Sequence, residues 1–321
     1  SSAASDVYKR QVTNSGTINT SASNIKGAVT NNNTLNLSGG TLSKAVSGSG
    51  TTNITGAVTS NSAISQAINV VAAGDLTINA NNIGGAVTNA GDLILTGGTL
   101  SKVVSGSGKT TITGNTTNNS GINQGVNVNS GVTLTNNAAL GSANGAITNS
   151  GTINSNADNI KGTVANSGSL NLSGGTLNKA VSGNGTTTIS GNTTNNAGIN
   201  QGVNVNSGVT LTNNAALGSD SGKVTNAGTI NTNAGNIKGA VTNNNALNLS
   251  GGTLSKAVSG SGTTTISANA TNNGGISQKV NVNSGVTLTN NAALGSDSGV
   301  VTNSGIILSL IHISEPTRLQ L

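Results

Sequence analysis

The sequence predicts an all-β fold, a parallel β-helix (β-solenoid) of short strands coiled into stacked turns, on three observations. The first is a long period: Ile147-Thr-Asn-Ser-Gly-Thr-Ile recurs as Val224-Thr-Asn-Ala-Gly-Thr-Ile and as Val301-Thr-Asn-Ser-Gly-Ile-Ile, a constant offset of 77 in the numbering. Such a period marks a solenoid or array rather than a globule. The second is alternation, in which Leu247-Asn-Leu249, Val280-Asn-Val282 and Val286-Thr-Leu288 set apolar side chains two apart, on one face of a strand. The third is composition. Between the termini the chain has no aromatic residue, Cys, Met, Pro or His, and Gly, Asn, Ser, Thr and small aliphatics dominate. Scarce Glu, Lys and Arg with abundant Val, Ile and Thr favour strands over helices, and regular Val/Ile/Leu spacing argues against a disordered linker.

Each repeat divides into four segments that open with a β-branched residue. Val224 to Ala240 and Val241 to Ala257 each have length 17, Val258 to Lys279 has length 22, and Val280 to Val300 has length 21. Corners fall where glycine interrupts the apolar runs, at Gly251-Gly252 and at Ser259-Gly260-Ser261-Gly262. The first copy is short: the offset from Leu42 to Leu100 is 58, less than the full period by 19. Ile68 to Ala86 there begins like a fourth coil and ends like a first, as if two coils were fused. Solenoids tolerate loss of a whole coil because each contacts only its neighbours. The expected total from Val12 to Val300 is about 15 coils, each of length 17 to 22.

The ends are of different character. Tyr8, Arg10, His312, Glu315, Pro316 and Arg318 supply every Tyr, Arg, His, Glu and Pro of the chain. Asp6-Val-Tyr-Lys-Arg-Gln can be written GAT GTG TAT AAG AGA CAG, whose reverse complement encodes Leu-Ser-Leu-Ile-His-Ile, which is Leu308 to Ile313. We therefore read 1–11 and 308–321 as translated sequencing-adapter DNA, set aside before any fold argument. Residues 12–307 read as a single solenoid domain fragment whose natural termini, export signal and anchor lie outside the sequence.

One coil buries too little apolar surface to offset its backbone entropy, so coils must stabilise each other by stacking. Stacked at roughly 4.8 Å, fifteen coils make a rod of about 70 Å. Val224, Val241, Val258 and Val280 should form one aliphatic ladder, and Ile230, Leu249, Ile266 and Leu288 a second. Frequent Asn near corners, as at Asn226, Asn243, Asn244 and Asn245, predicts amide ladders between coils. Ile266 is assigned to the interior and Ser261 to the surface.

Charge is sparse. The formal charge of the whole chain is +6, and between the ends ten Lys face five Asp. Lys26 and Lys44, Lys161 and Lys179, and Lys238 and Lys256 are each 18 apart, at matching corners of adjacent coils. They are candidate weak anion sites, set against the plainer role of keeping a β surface soluble and unpaired. With no aromatic residue to stack on bases, nucleic acid is not an expected partner.

Catalysis in a parallel β-helix needs converging carboxylates. Asp75, Asp92, Asp158, Asp220 and Asp297 are the acids available. Asp220 and Asp297 are a full repeat apart, whereas Asp75 and Asp92 fall on successive coils without Arg or His beside them. No catalytic residue, cofactor site or metal site is assigned: zinc lacks its Cys and His, and calcium nonapeptide repeats are missing. An ice-binding Thr array is broken, the aligned positions reading Thr229, Ala246, Thr264 and Thr287.

Val12-Thr-Asn-Ser-Gly-Thr-Ile-Asn19, Ile147 to Asn154 and Leu170-Asn-Leu-Ser-Gly-Gly-Thr-Leu177 resemble the Asn/Gly/Ser/Thr-rich coils of bacterial type V secreted surface proteins. These are autotransporter passengers and filamentous-haemagglutinin-like adhesins, described as β-strand repeat proteins. The resemblance covers 12–307 and is periodic and compositional. It implies a right-handed parallel β-helix exported across the envelope and displayed on, or shed from, the outer membrane, with anchoring only through a part of the protein beyond this stretch. Lack of Cys suits export through an oxidising periplasm. The expected role is a non-catalytic rod within an adhesin passenger, meeting an unknown host or bacterial surface ligand, glycans included. The alternatives are a pure stalk or surface-layer material, then a polysaccharide-active enzyme or an ice-binding solenoid.

Overall fold

The computed structural model describes residues 11–297 and 299–309. The chain is all-β, 55% strand and 4% helix, forming a parallel β-solenoid of about 17 turns. It divides into two compact units, Ser1–Ala197 and Gly198–Leu321.

In the second unit the strands pair in parallel through three inward columns. One runs Val224, Val241, Val258, Ile276, Leu294. Another runs Leu211, Ile230, Leu247, Thr264, Val280, Val301. The third takes Ala270, Leu288 and Ile307, with the exposed Gly252 paired to Ala270 at its start. The first unit repeats the scheme, with Val87, Val104, Ile122, Leu140 and Ile160 in one column. Leu76, Leu93, Thr110, Val126, Ile147, Val164 and Val181 make a second, and Thr116, Leu134, Ile153, Leu170 and Thr187 a third. Each turn therefore has three faces, and the core is a narrow filling of aliphatic side chains such as Leu35, Leu93, Leu170 and Ile266, all fully buried.

The columns correct two expected ladders. Val224, Val241 and Val258 do stack, but the next rung is Ile276, and Val280 stands on Thr264 instead. Ile230 stacks under Leu247, not Leu249; Leu249 meets Ile266, which meets Val282, and Leu288 belongs to a third column. The reason is the length of a turn. Four steps from Val224 reach Leu294, whereas Val301, the equivalent of Val224, comes further along the chain, on the next face. A repeat is four turns and one face, not four coils. That extra face raises the count above the 15 obtained from four coils in each full repeat and three in the short one, toward about 17 turns.

The short first copy fits the same register: Ile68 stacks under Val87, so the fused segment closes as a single turn. The glycine-rich stretch from Ser259 to Gly262 is not a break between strands but a bulge inside the long strand Val258–Ile266, where the register shifts between Ser259 and Thr263. Gly260 has φ +116°, and a Cβ there would run into the Asn243 carbonyl oxygen of the turn beside it, so no other residue fits.

Buried amides line the corners as expected. Asn226 donates through Nδ2 to Asn243 Oδ1 at 2.7 Å and to the Ala246 carbonyl at 2.8 Å, while its Oδ1 accepts from Gly228 N. Asn14 with Asn31, Asn118 with Asn136, and Asn149 with Asn166 repeat the bond at 2.6 to 2.7 Å. Buried polar groups must be paired, and here one amide closes a turn and holds its neighbour. A second polar rung is Gln–Thr: Gln66, Gln124 and Gln278 donate to Thr52, Thr110 and Thr264 at 2.6 to 2.7 Å. Where the DNA-derived reading places its boundary, the strand Ile306–Ser309 pairs with Thr287–Asn290 and takes in Leu308 and Ser309. Residues 1–10 and 310–321, including His312, lie outside the described residues.

Candidate functional site

Two kinds of surface recess stand out, one present in both units and one in the second unit. The first is built on outward asparagines. Asn36 donates to Asn19 at 2.6 Å, Asn53 to Asn36 at 2.7 Å, and Asn69 to Asn53 at 3.1 Å, a ladder along the floor of an open groove of about 460 Å³. Asn171 with Asn154 and Asn248 with Asn231 floor grooves of about 380 and 430 Å³. These grooves carry no charge and no aromatic ring.

The second recess is a lysine corner. The sequence Gly218-Ser-Asp-Ser-Gly222 turns out of the wall at Gly218, φ +79°, and closes a small hairpin in which Ser219 N and Gly222 N donate to each other's carbonyls at 2.9 and 3.1 Å. Beneath its tip is a groove of about 430 Å³ lined by Asp220, Lys238 and Lys256 with Asn200, Ile237 and Thr253. Lys256 Nζ meets Asp220 Oδ1 at 2.5 Å, with 35% of the lysine and 89% of the aspartate side chain exposed. The hydrogen bond from Lys256, then its charge, hold the Asp220 carboxyl below the usual carboxylate range. Lys238 Nζ donates to the Gly235 carbonyl at 2.6 Å.

All three lysine pairs sit on adjacent turns. Val29 stacks on Val46, Val164 on Val181 and Val241 on Val258, and the lysine spacing is one longer than that of these rungs, so the paired lysines stand one position out of register. Lys26 uses its ammonium as Lys238 does, on the Ser23 carbonyl at 2.6 Å. At the Lys161 and Lys179 corner the hairpin is kept, Ser142 and Gly145 exchanging backbone bonds at 3.1 and 3.2 Å, but its tip residue is Ala143. Asp158 replaces Gly235 there, and its Oδ1 accepts from Thr176 N at 2.9 Å. Asn81 in another turn makes the same bond to Thr99 N at 2.8 Å, so this acid acts as a turn-to-turn clamp. Lys44 is exposed.

Asp75 and Asp92 stack in register, as their spacing suggested, and Lys109 stands on the rung after Asp92. Lys109 follows Asp92 at the same spacing that separates Asp75 from Asp92, so the signal was there, and the reading from sequence missed it by seeking only Arg or His beside the acids. It missed Asp220 as the partner of Lys256 because the two lie two turns apart; the Ser-Asp-Ser-Gly turn was the available signal. The expected Thr alignment is corrected: the column is Thr210, Thr229, Ala246, Thr263, Lys279. Thr264 points inward to Gln278, and Thr287 pairs with Ile306. Among the described residues no three His, Cys, Asp or Glu converge, and no helix is long and apolar enough to cross a membrane. No family model, curated protein or solved structure matches the chain.

Proposed function

We propose that this chain is a non-catalytic solenoid segment of a bacterial adhesin passenger, secreted or displayed at the cell surface. One observation carries the reading. The inner columns are mainly aliphatic, with buried threonines such as Thr264, while the outer column Thr225, Thr242, Ser259 and Ser277 beside Val224, Val241, Val258 and Ile276 stays small and polar. Every added turn thus brings its own core and the same kind of surface, which suits extension and repeated weak contact.

The pure-stalk reading differs in what the surface does. Beads coated with the chain should adhere to host cells or matrix saturably, and soluble chain should compete. No binding, with only length-dependent display of a distal domain, supports the stalk instead. An enzyme would turn over polysaccharide and lose that activity in Asp75→Asn or Asp92→Asn.

A further inference from the structure

The hairpin corners at Gly141 to Gly145 and at Gly218 to Gly222 differ by one charge placement. In the second unit the Asp220 carboxylate rests on Lys256; in the first unit the equivalent tip is Ala143, and no carboxylate of the described residues lies within ion-pair distance of Lys179. Asp220 shows where an anion sits at this corner and which ammonium it takes. We propose that the Lys161 and Lys179 corner of the first unit binds a carboxylate of an acidic polysaccharide in the position that Asp220 fills internally in the second unit.

The surroundings favour a sugar acid over an acidic peptide. At the equivalent groove the walls are Asn200, Ser219, Thr253 and Ser255, and the first unit keeps the same residue types at Asn123, Ser142 and Thr176, with Asn178 in place of Ser255. These amides and hydroxyls suit sugar hydroxyls, and Ile237, the apolar side chain in the lining, is almost wholly buried and makes no pocket for a peptide side chain. Asp158 is the opposing charge. Its bond to Thr176 N holds it in the turn, where it lowers the attraction of the corner without reaching either ammonium. The binding is weak per corner, screened by salt, and useful through repetition along a polymer.

The inference deepens the adhesive reading by naming ligand chemistry, yet its test needs no cell. Oligogalacturonate is titrated into the whole chain at low ionic strength by calorimetry, with neutral dextran and polyglutamate as comparison ligands. Lys179→Gln should weaken binding at this corner roughly two- to five-fold, the size of an exposed ion pair. Ala143→Asp, which installs the internal carboxylate in a hairpin already known to carry it at Asp220, should remove one site. Asp220→Ala should add one, and Asp158→Asn should tighten binding. Unchanged stoichiometry in both Ala143→Asp and Asp220→Ala overturns the site, as does no binding of oligogalacturonate. Equal binding of dextran overturns the role of charge, and equal binding of polyglutamate overturns the sugar. If oligogalacturonate binds as stated while coated beads do not adhere, the site stands and the adhesive role falls.

Discussion

The inward and outward columns of the same strands obey opposite rules. Inside, Val224, Val241, Val258 and Ile276 hold shape and polarity nearly constant from turn to turn. Outside, one column passes through Thr210, Thr229, Ala246, Thr263 and Lys279, changing size and charge from rung to rung and crossing the bulge before Thr263 while the strands stay paired. Stacking is therefore set by the narrow core and its buried amides, and the surface is free to vary. A substitution should cost in proportion to how far it reaches inward.

The largest effect is expected at Ile266, fully buried between Leu249 and Val282. Ile266→Asp should destabilise by about 3–5 kcal/mol, the cost of an unpaired buried charge, whereas Ser261→Asp, exposed at the bulge, should stay within about 0.5 kcal/mol. Denaturant melts followed by circular dichroism would separate them, and equal midpoints would erase the distinction between the columns.

The buried amides come next. Asn243 accepts from Asn226 and donates to the Asn245 and Thr263 carbonyls, so Asn243→Leu should cost about 1–3 kcal/mol although it makes the core more apolar. A gain in stability would show that the amide ladder serves register alone.

The smallest effect lies at the surface pair. The carboxyl of Asp220 is lowered in the folded chain by Lys256, so its contribution is present above the unfolded carboxyl range near 4 and fades as pH falls through the lower folded value. Nuclear magnetic resonance titration should place the Asp220 midpoint below that range, and Lys256→Gln should move it upward with little change in global stability. A midpoint that ignores the substitution would remove the pair from solution.

Much of this was readable from residue order. The period, the alternation, the Asn226 to Asn243 bond and the glycine corner at Gly251-Gly252 follow from local rules of strands and turns. The rungs beyond Val258 did not, because the step from Ser259 to Thr263 is twice as long as the step from Ser277 to Lys279 that it faces. That bulge makes Ile276 rather than Val280 the next rung. Thr264 looked like surface because its neighbours are threonines, yet Gln278, in the next strand of the column, reaches it in space and makes it core. The Asp220 to Lys256 pair was hidden for a related reason: its partners are neighbours only across two stacked turns.

The four turns and one face in each period make length changes act like moves of a screw. The stretch missing between Leu42 and Leu100 takes out one whole revolution and leaves later groups pointing as before. Residues a full period apart, such as Val224 and Val301, stand on different faces of the turn, so each copy of the repeat offers its surface residues from a new side.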